Sequence, residues 1–176
     1  MNVINKITTI AITSLLVTGC VTKPPLRVVI TTSPLDSVKT LKALEKGTSA
    51  IKGSALLRQR GGVVVTCAGM EVGLVPVTAY SVERFTALYG SERGGYRPAN
   101  ALGIKFEPDN EAVYQSLTRE TRCDAQGYFK FDNVAQGDYF VVTSVTWRAT
   151  ATQGGWISQR VSLTEAETKE IVLTSN

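Results

Sequence analysis

TRCDAQGYFKFDNVAQGDYFVVTSV, residues 121–145, carries the strongest fold signal in the chain. Asp124-Ala125-Gln126-Gly127 has the composition of a β-turn, because an Asp side chain accepts a hydrogen bond from the backbone two residues on and Gly tolerates positive φ. After it Phe129 and Phe131 alternate with Tyr128 and Lys130, a period of two that marks a strand. Asp132-Asn133 opens a second connection, which closes at Gly137-Asp138. Tyr139, Val141, Thr143, Val145 and Trp147 then share one face. Phe140, Val142, Ser144, Thr146 and Arg148 share the other, which drifts from apolar to polar. The pattern predicts an antiparallel meander with the Tyr139 face buried.

Downstream, Gln153-Gly154-Gly155 predicts a turn, Ile157, Val161 and Leu163 an inward strand face, and Ile171 with Leu173 a last strand. Upstream, residues 81–118 read as a long insertion. Ser81 to Tyr89 is helical by the spacing of Val82, Phe85 and Leu88, and Pro108-Asp109-Asn110 starts a second short helix. Between them Gly90 to Asn100 reads as a loop. Its Arg93, Tyr96 and Arg97 make it the candidate recognition surface, with a cover over one sheet as the plain alternative. Strands are expected over Ile51–Gln59, Val63–Thr66 and Met70–Tyr80, the second of them buried, with Gly61-Gly62 as a turn and Pro76 placing the end of the third at a sheet edge. Ser33-Pro34 resembles a helix start, with Leu35, Val38, Leu41 and Leu44 on one face and Gly47 as the stop. Val28-Val29-Ile30 is a short strand or an apolar contact with the body.

The pattern Asp124-x-x-Gly127-x-Phe129-x-Phe131, then Val134-x-x-Gly137-x-Tyr139-x-Val141, resembles the repeat of carboxypeptidase-regulatory-like domains. The run Gly69–Tyr80 is similar to an earlier strand of that family, with Val72, Leu74, Pro76 and Tyr80 at the matching places. The resemblance implies an all-β fold, a transthyretin-like (prealbumin-like) antiparallel β-sandwich with one or two short helices. It implies no activity, because such domains serve as spacers, adhesive modules and assembly parts. Transthyretin-like lipoproteins occur in type VI secretion membrane complexes, which gives an accessory role in secretion a precedent in architecture.

Residues 1–19 read as a lipoprotein signal peptide. Lys6 precedes the apolar run Ile7–Val17, which is shorter than the roughly 20 residues a bilayer span needs. Val17-Thr18-Gly19-Cys20 resembles a bacterial lipobox, so Cys20 is the expected lipidation site; an ordinary signal peptide with a chance Cys is the alternative. Val21 and Thr22 lack the Asp that holds enteric lipoproteins in the inner membrane, which favours the outer membrane. Residues 20–48 then form the anchor, a tether stiffened by Pro24-Pro25 and a short helix, and 49–176 the body.

Composition bounds the chemistry. The chain has 176 residues, a formal charge of +4 and no His, which removes imidazole acid–base catalysis and most Zn, Cu and non-haem Fe sites. The enzymes known on related sandwiches use histidines that have no counterpart here. The cations are spread out and no aromatic platform is interleaved with them, which argues against nucleic acid. In an oxidising compartment Cys67 and Cys123 suggest a disulfide; two buried thiols are the alternative. Asp124, Asp132 and Asp138 do not have EF-hand spacing and read as turn residues. Glu107, Asp109 and Glu111 suggest paired carboxylates or an acidic helix start. Trp147 reads as core, whereas Trp156 has the opposite parity to Ile157 and is expected exposed. The sequence therefore predicts a non-catalytic module without cofactor or metal. It would be lipid-anchored at the outer membrane, acting as an adaptor for an envelope protein or else as a carbohydrate or peptidoglycan binder using Trp156 or Tyr96.

Overall fold

A computed structural model describes residues 26–175; Cys20 and the signal segment lie outside them. The architecture is an all-β sandwich with three short helices, at the three places where the sequence pointed to helices and one more than the upper count the family resemblance implied. One sheet has the order β5 (Gly94–Pro98), β10 (Thr152–Leu163), β9 (Gly137–Arg148), β4 (Glu71–Pro76), β7 (Arg119–Arg122). The other is built on β2 (Lys46–Arg58), which pairs with β8 (Tyr128–Val134), β3 (Val64–Thr66) and, in parallel, β11 (Thr168–Leu173). β1 (Leu26–Ile30) and β6 (Gly103–Glu107) form a separate parallel pair. The helices are α1 (Ser37–Ala43), α2 (Ala79–Tyr89) and α3 (Glu111–Ser116).

The core lies between the two sheets. Ile51, Ala55 and Leu57 of β2, Phe129, Phe131 and Val134 of β8, and Ile171 and Leu173 of β11 meet Val72, Leu74, Val141, Val145, Ile157 and Val161 from the facing sheet. Tyr139 joins them, its hydroxyl 2.8 Å from the carbonyl of Ala43. Trp147 packs at the margin of this core and donates its indole N–H to Gln153. Cys67 and Cys123 are disulfide-bonded and buried, closing a loop with a separation of 56 residues. The chain-entropy model assigns such a loop about 4 kcal/mol of stabilisation.

The strands of residues 121–145 exist as expected, but they are not a meander. β8 pairs with β2, while β7 and β9 both pair with β4. Successive strands therefore alternate between sheets. A period of two marks a strand with one buried face, and both sheets of a sandwich bury one face, so the pattern does not say which sheet a strand joins. The Asp124–Gly127 turn forms as predicted: Asp124 Oδ1 accepts from Gln126 and Tyr128 N–H, and Gly127 has φ +88.

Other boundaries move for local reasons. α1 starts later than Ser33-Pro34 because Asp36 is the N-cap, accepting from Lys39 N–H at 2.9 Å. Its apolar row faces outward, with Val38 80% and Leu41 54% exposed, and Gly47 already belongs to β2. Val64 is 47% exposed, so β3 is not the buried strand expected. Tyr80 belongs to α2 rather than to β4, because Thr78 and Ser81 form a capping box at the helix start. β4 has β7 as a second neighbour only from Glu71 to Leu74, which leaves Pro76 at a local edge as read from the sequence. Gln153-Gly154-Gly155 is strand, not turn: Gly154 has φ +85, and a Cβ there would lie 2.1 Å from the Val145 carbonyl oxygen. From Leu26 onward the chain touches the body, through the β1–β6 pair and through Glu83, whose carboxylate accepts from Thr32 and Ser33.

Candidate functional site

The outer face of the five-stranded sheet holds a groove of about 610 Å³. Alternation builds it. Val72, Leu74, Val141, Val145 and Ile157 point into the core, so Gly73, Val75, Phe140, Val142, Ser144 and Trp156 point outward. The drift from apolar to polar along the outer face of β9 now has a cause. α2 covers the apolar end, where Phe85 stacks on Phe140 with centroids 3.9 Å apart, and Val75 and Val142 pack beside them. The polar end stays open as the groove floor.

One cross-strand row spans the open part. Arg97 on β5 faces Trp156 on β10, which faces Ser144 on β9; Glu71 on β4 faces Arg122 on β7. The next row is small at its centre, with Ser158 opposite Gly95 on one side and Val142 on the other, then Gly73. A Cβ at Gly73 would come within 3.2 Å of Val142 and 3.3 Å of Thr118, so a larger residue here would push up the groove floor. Trp156 is 41% exposed and presents an aromatic ring to the groove.

The helical wall is aromatic and charged. Tyr89 from α2 and Tyr114 from α3 line it, beside Arg84 and Glu111. Arg84 is 4% exposed, 2.5 Å from Glu111 Oε2, with its guanidinium 4.0 Å from the Phe106 ring centroid and 4.3 Å from that of Tyr114. Burial pushes the Tyr89 hydroxyl well above the usual phenol range, with Arg97 pulling it part of the way back. Burial likewise raises Tyr114, against the pull of Arg84. Both phenols therefore stay protonated and remain hydrogen-bond donors at neutral pH.

Of the residues singled out from the sequence, the structure brings Arg97 and Trp156 together in the groove and leaves Arg93 and Tyr96 out of it. Tyr96 has the opposite parity on β5 and donates its hydroxyl to the Gly154 carbonyl. Arg93 is exposed, its carbonyl accepting from Arg160 N–H. Gly90–Asn100 is not the loop expected, because β5 pairs along β10 from Gly94 to Pro98. Glu71, Arg84, Tyr89, Tyr114, Glu120 and Arg122 were missed as site residues. Glu71 and Arg122 carried a readable signal, since each is a charge at the outward parity of its strand; Arg84 and Tyr114 carried none.

The acidic groups are engaged separately. Glu107 pairs with Lys105, Glu111 with Arg84, Asp132 with Lys130 and Asp138 with Arg160, and the Asp109 carboxylate accepts from Glu111 N–H. Among the described residues no three His, Cys, Asp or Glu side chains converge on a metal-sized site.

Neither a family model nor a curated protein matches the chain. A solved structure does share the fold. It is the crystal structure of a Pseudomonas aeruginosa protein described as a "putative carbohydrate binding protein", 22% identical, with a TM-score of 0.63, over 80% of this chain and 98% of that one. At this identity the likeness establishes the fold.

Proposed function

We propose that this protein is a glycan-binding module of the bacterial envelope, held at the outer membrane by a lipidated Cys20 and without catalytic activity of its own. The observation that carries the proposal is the groove, with exposed Trp156 set between Arg97 and Ser144 on a floor kept low by Gly73. Sugars bury their C–H faces on flat aromatic rings and exchange their hydroxyl hydrogen bonds with charged and phenolic groups at the rim. Glu120, Arg122, Tyr89 and Gln115 supply such groups. The description of the Pseudomonas aeruginosa neighbour supports the same ligand class. The adaptor role that the sequence favoured leaned on a free loop at Gly90–Asn100, and most of that segment is committed to sheet pairing.

Binding to purified peptidoglycan sacculi and to an array of bacterial polysaccharides tests the proposal. Trp156→Ala is expected to weaken retention by about tenfold or more, as loss of a central aromatic anchor does at interfaces, with an unchanged unfolding midpoint. Retention unaffected by Trp156→Ala, or no glycan retained by the parent protein, would overturn it. The anchor has its own test: Cys20→Ala is expected to move the protein from the membrane fraction to the soluble envelope fraction.

A further inference from the structure

Three arginines line the groove, and they are not equivalent. Arg84 is spoken for by Glu111 at 2.5 Å, and Arg122 by Glu71 at 2.8 Å and the Gly69 carbonyl at 2.6 Å. Arg97 has no carboxylate within ion-pair distance among the described residues, and the one hydrogen bond of its guanidinium runs to the Leu102 carbonyl. It is also the arginine directly across the strand from Trp156. A guanidinium offers five N–H donors in a rigid fork, and a fork with one donor used still grips a carboxylate through two others.

We propose that the groove selects glycans that carry carboxylates on the sugar ring, of the uronic-acid type, with Arg97 holding the carboxylate of the ring stacked on Trp156. This rests on the glycan-binding function proposed above and assigns its ligand class. Directly opposed strand residues lie about 4.5–5.5 Å apart at Cβ, so a ring lying on the indole brings its exocyclic group over the neighbouring side chain. A neutral sugar brings a hydroxymethyl group there, which uses at most one donor and leaves the cation without a counter-charge. Two features of the groove oppose a merely polyanionic preference. Arg84 and Arg122 are already neutralised by Glu111 and Glu71, and Glu120 adds a further negative charge on the β7 side. One cation beside one aromatic ring recognises one carboxylate at one position, rather than charge density along a polymer.

Calorimetric titration of the full-length protein in detergent tests this with matched pairs of probes. Oligogalacturonate and oligomannuronate are each compared with the same oligomer after its carboxyl groups have been reduced to hydroxymethyl. The expected result is that at least one acidic oligomer binds about tenfold or more tighter than its neutral counterpart, with the preference shrinking as salt is raised. Arg97→Gln is expected to bring the ratio of the two affinities close to one, and Arg97→Lys to restore part of it, because a point charge replaces the fork. Equal affinity for acidic and neutral members of both pairs would overturn the carboxylate assignment while leaving glycan binding standing. So would a preference that survives Arg97→Gln. Binding to no member of either pair, together with no retention on sacculi or polysaccharides, would remove both.

Discussion

Arg84 is a cation held almost out of water by three rings, Tyr80, Phe106 and Tyr114, and one carboxylate. It ties α2 to β6 and α3 and so fixes the wall of the groove. Removing one member of a buried ion pair is costly, whereas an apolar residue of similar volume is often tolerated. Arg84→Ala is therefore expected to lower stability by about 3 kcal/mol, and Arg84→Met by under about 1 kcal/mol, in urea unfolding. Glu111 is half exposed, so Glu111→Gln is expected to cost little by itself. Trp156 could be read from sequence because a large aromatic at the wrong parity in a strand must go outward. Arg84 could not. An arginine on the buried stripe of a helix looks like a solvent-facing residue until the rings that receive it, 4 to 30 positions away, are folded around it.

Among the elements, the stretch after β1 is fastened to α2 by the Glu83 carboxylate. Hydrogen bonds from the Thr32 and Ser33 hydroxyls hold it down to about 2, against the opposing effect of burial and with lesser help from their backbone N–H groups. A carboxyl whose folded value is depressed contributes fully above its unfolded value, and that contribution is lost as pH falls through the folded one. The Thr32–Ser33 attachment is thus expected to persist at neutral pH and to loosen between about pH 4.5 and 2. Amide exchange at Thr32 and Ser33 reports it: protection should fall over that range and be absent in Glu83→Ala at every pH. This contact spans 50 positions, which is why Ser33 looked like a helix cap in the sequence and Asp36 took that role. β5 was hidden for another reason. Gly94 and Gly95 lower strand propensity, yet a Cβ on Gly94 would lie 2.4 Å from the Ser158 carbonyl oxygen, so glycine is what lets this edge strand approach β10. β9 was legible on both faces, because its outward side changes from Phe140 to Ser144 where the helical cover ends.

At the scale of the molecule, the β character followed from alternation and turn residues and the sandwich from the family resemblance, whereas the distribution of strands between sheets followed from neither. β8 and β9 show the same periodicity and are separated by two residues, Ala135 and Gln136, yet they belong to opposite sheets. The Cys67–Cys123 bond ties the segment before β4 to the end of β7. Replacing both cysteines by Ser is expected to cost about 2–5 kcal/mol and to lower the unfolding midpoint accordingly, as measured by thermal denaturation without reductant. β2 has a different dependence. Its neighbours along most of its length are β8 and the parallel strand β11, which follow it by about 75 and 120 positions. A chain made in order presents β2 early and supplies its last neighbour only when Leu173 has appeared. Until then the edge of β2 that β11 covers is open, a state that invites pairing with other chains. Completion of this sheet is thus a late, long-range closure, and its rate as much as its stability sets how long that edge stays exposed.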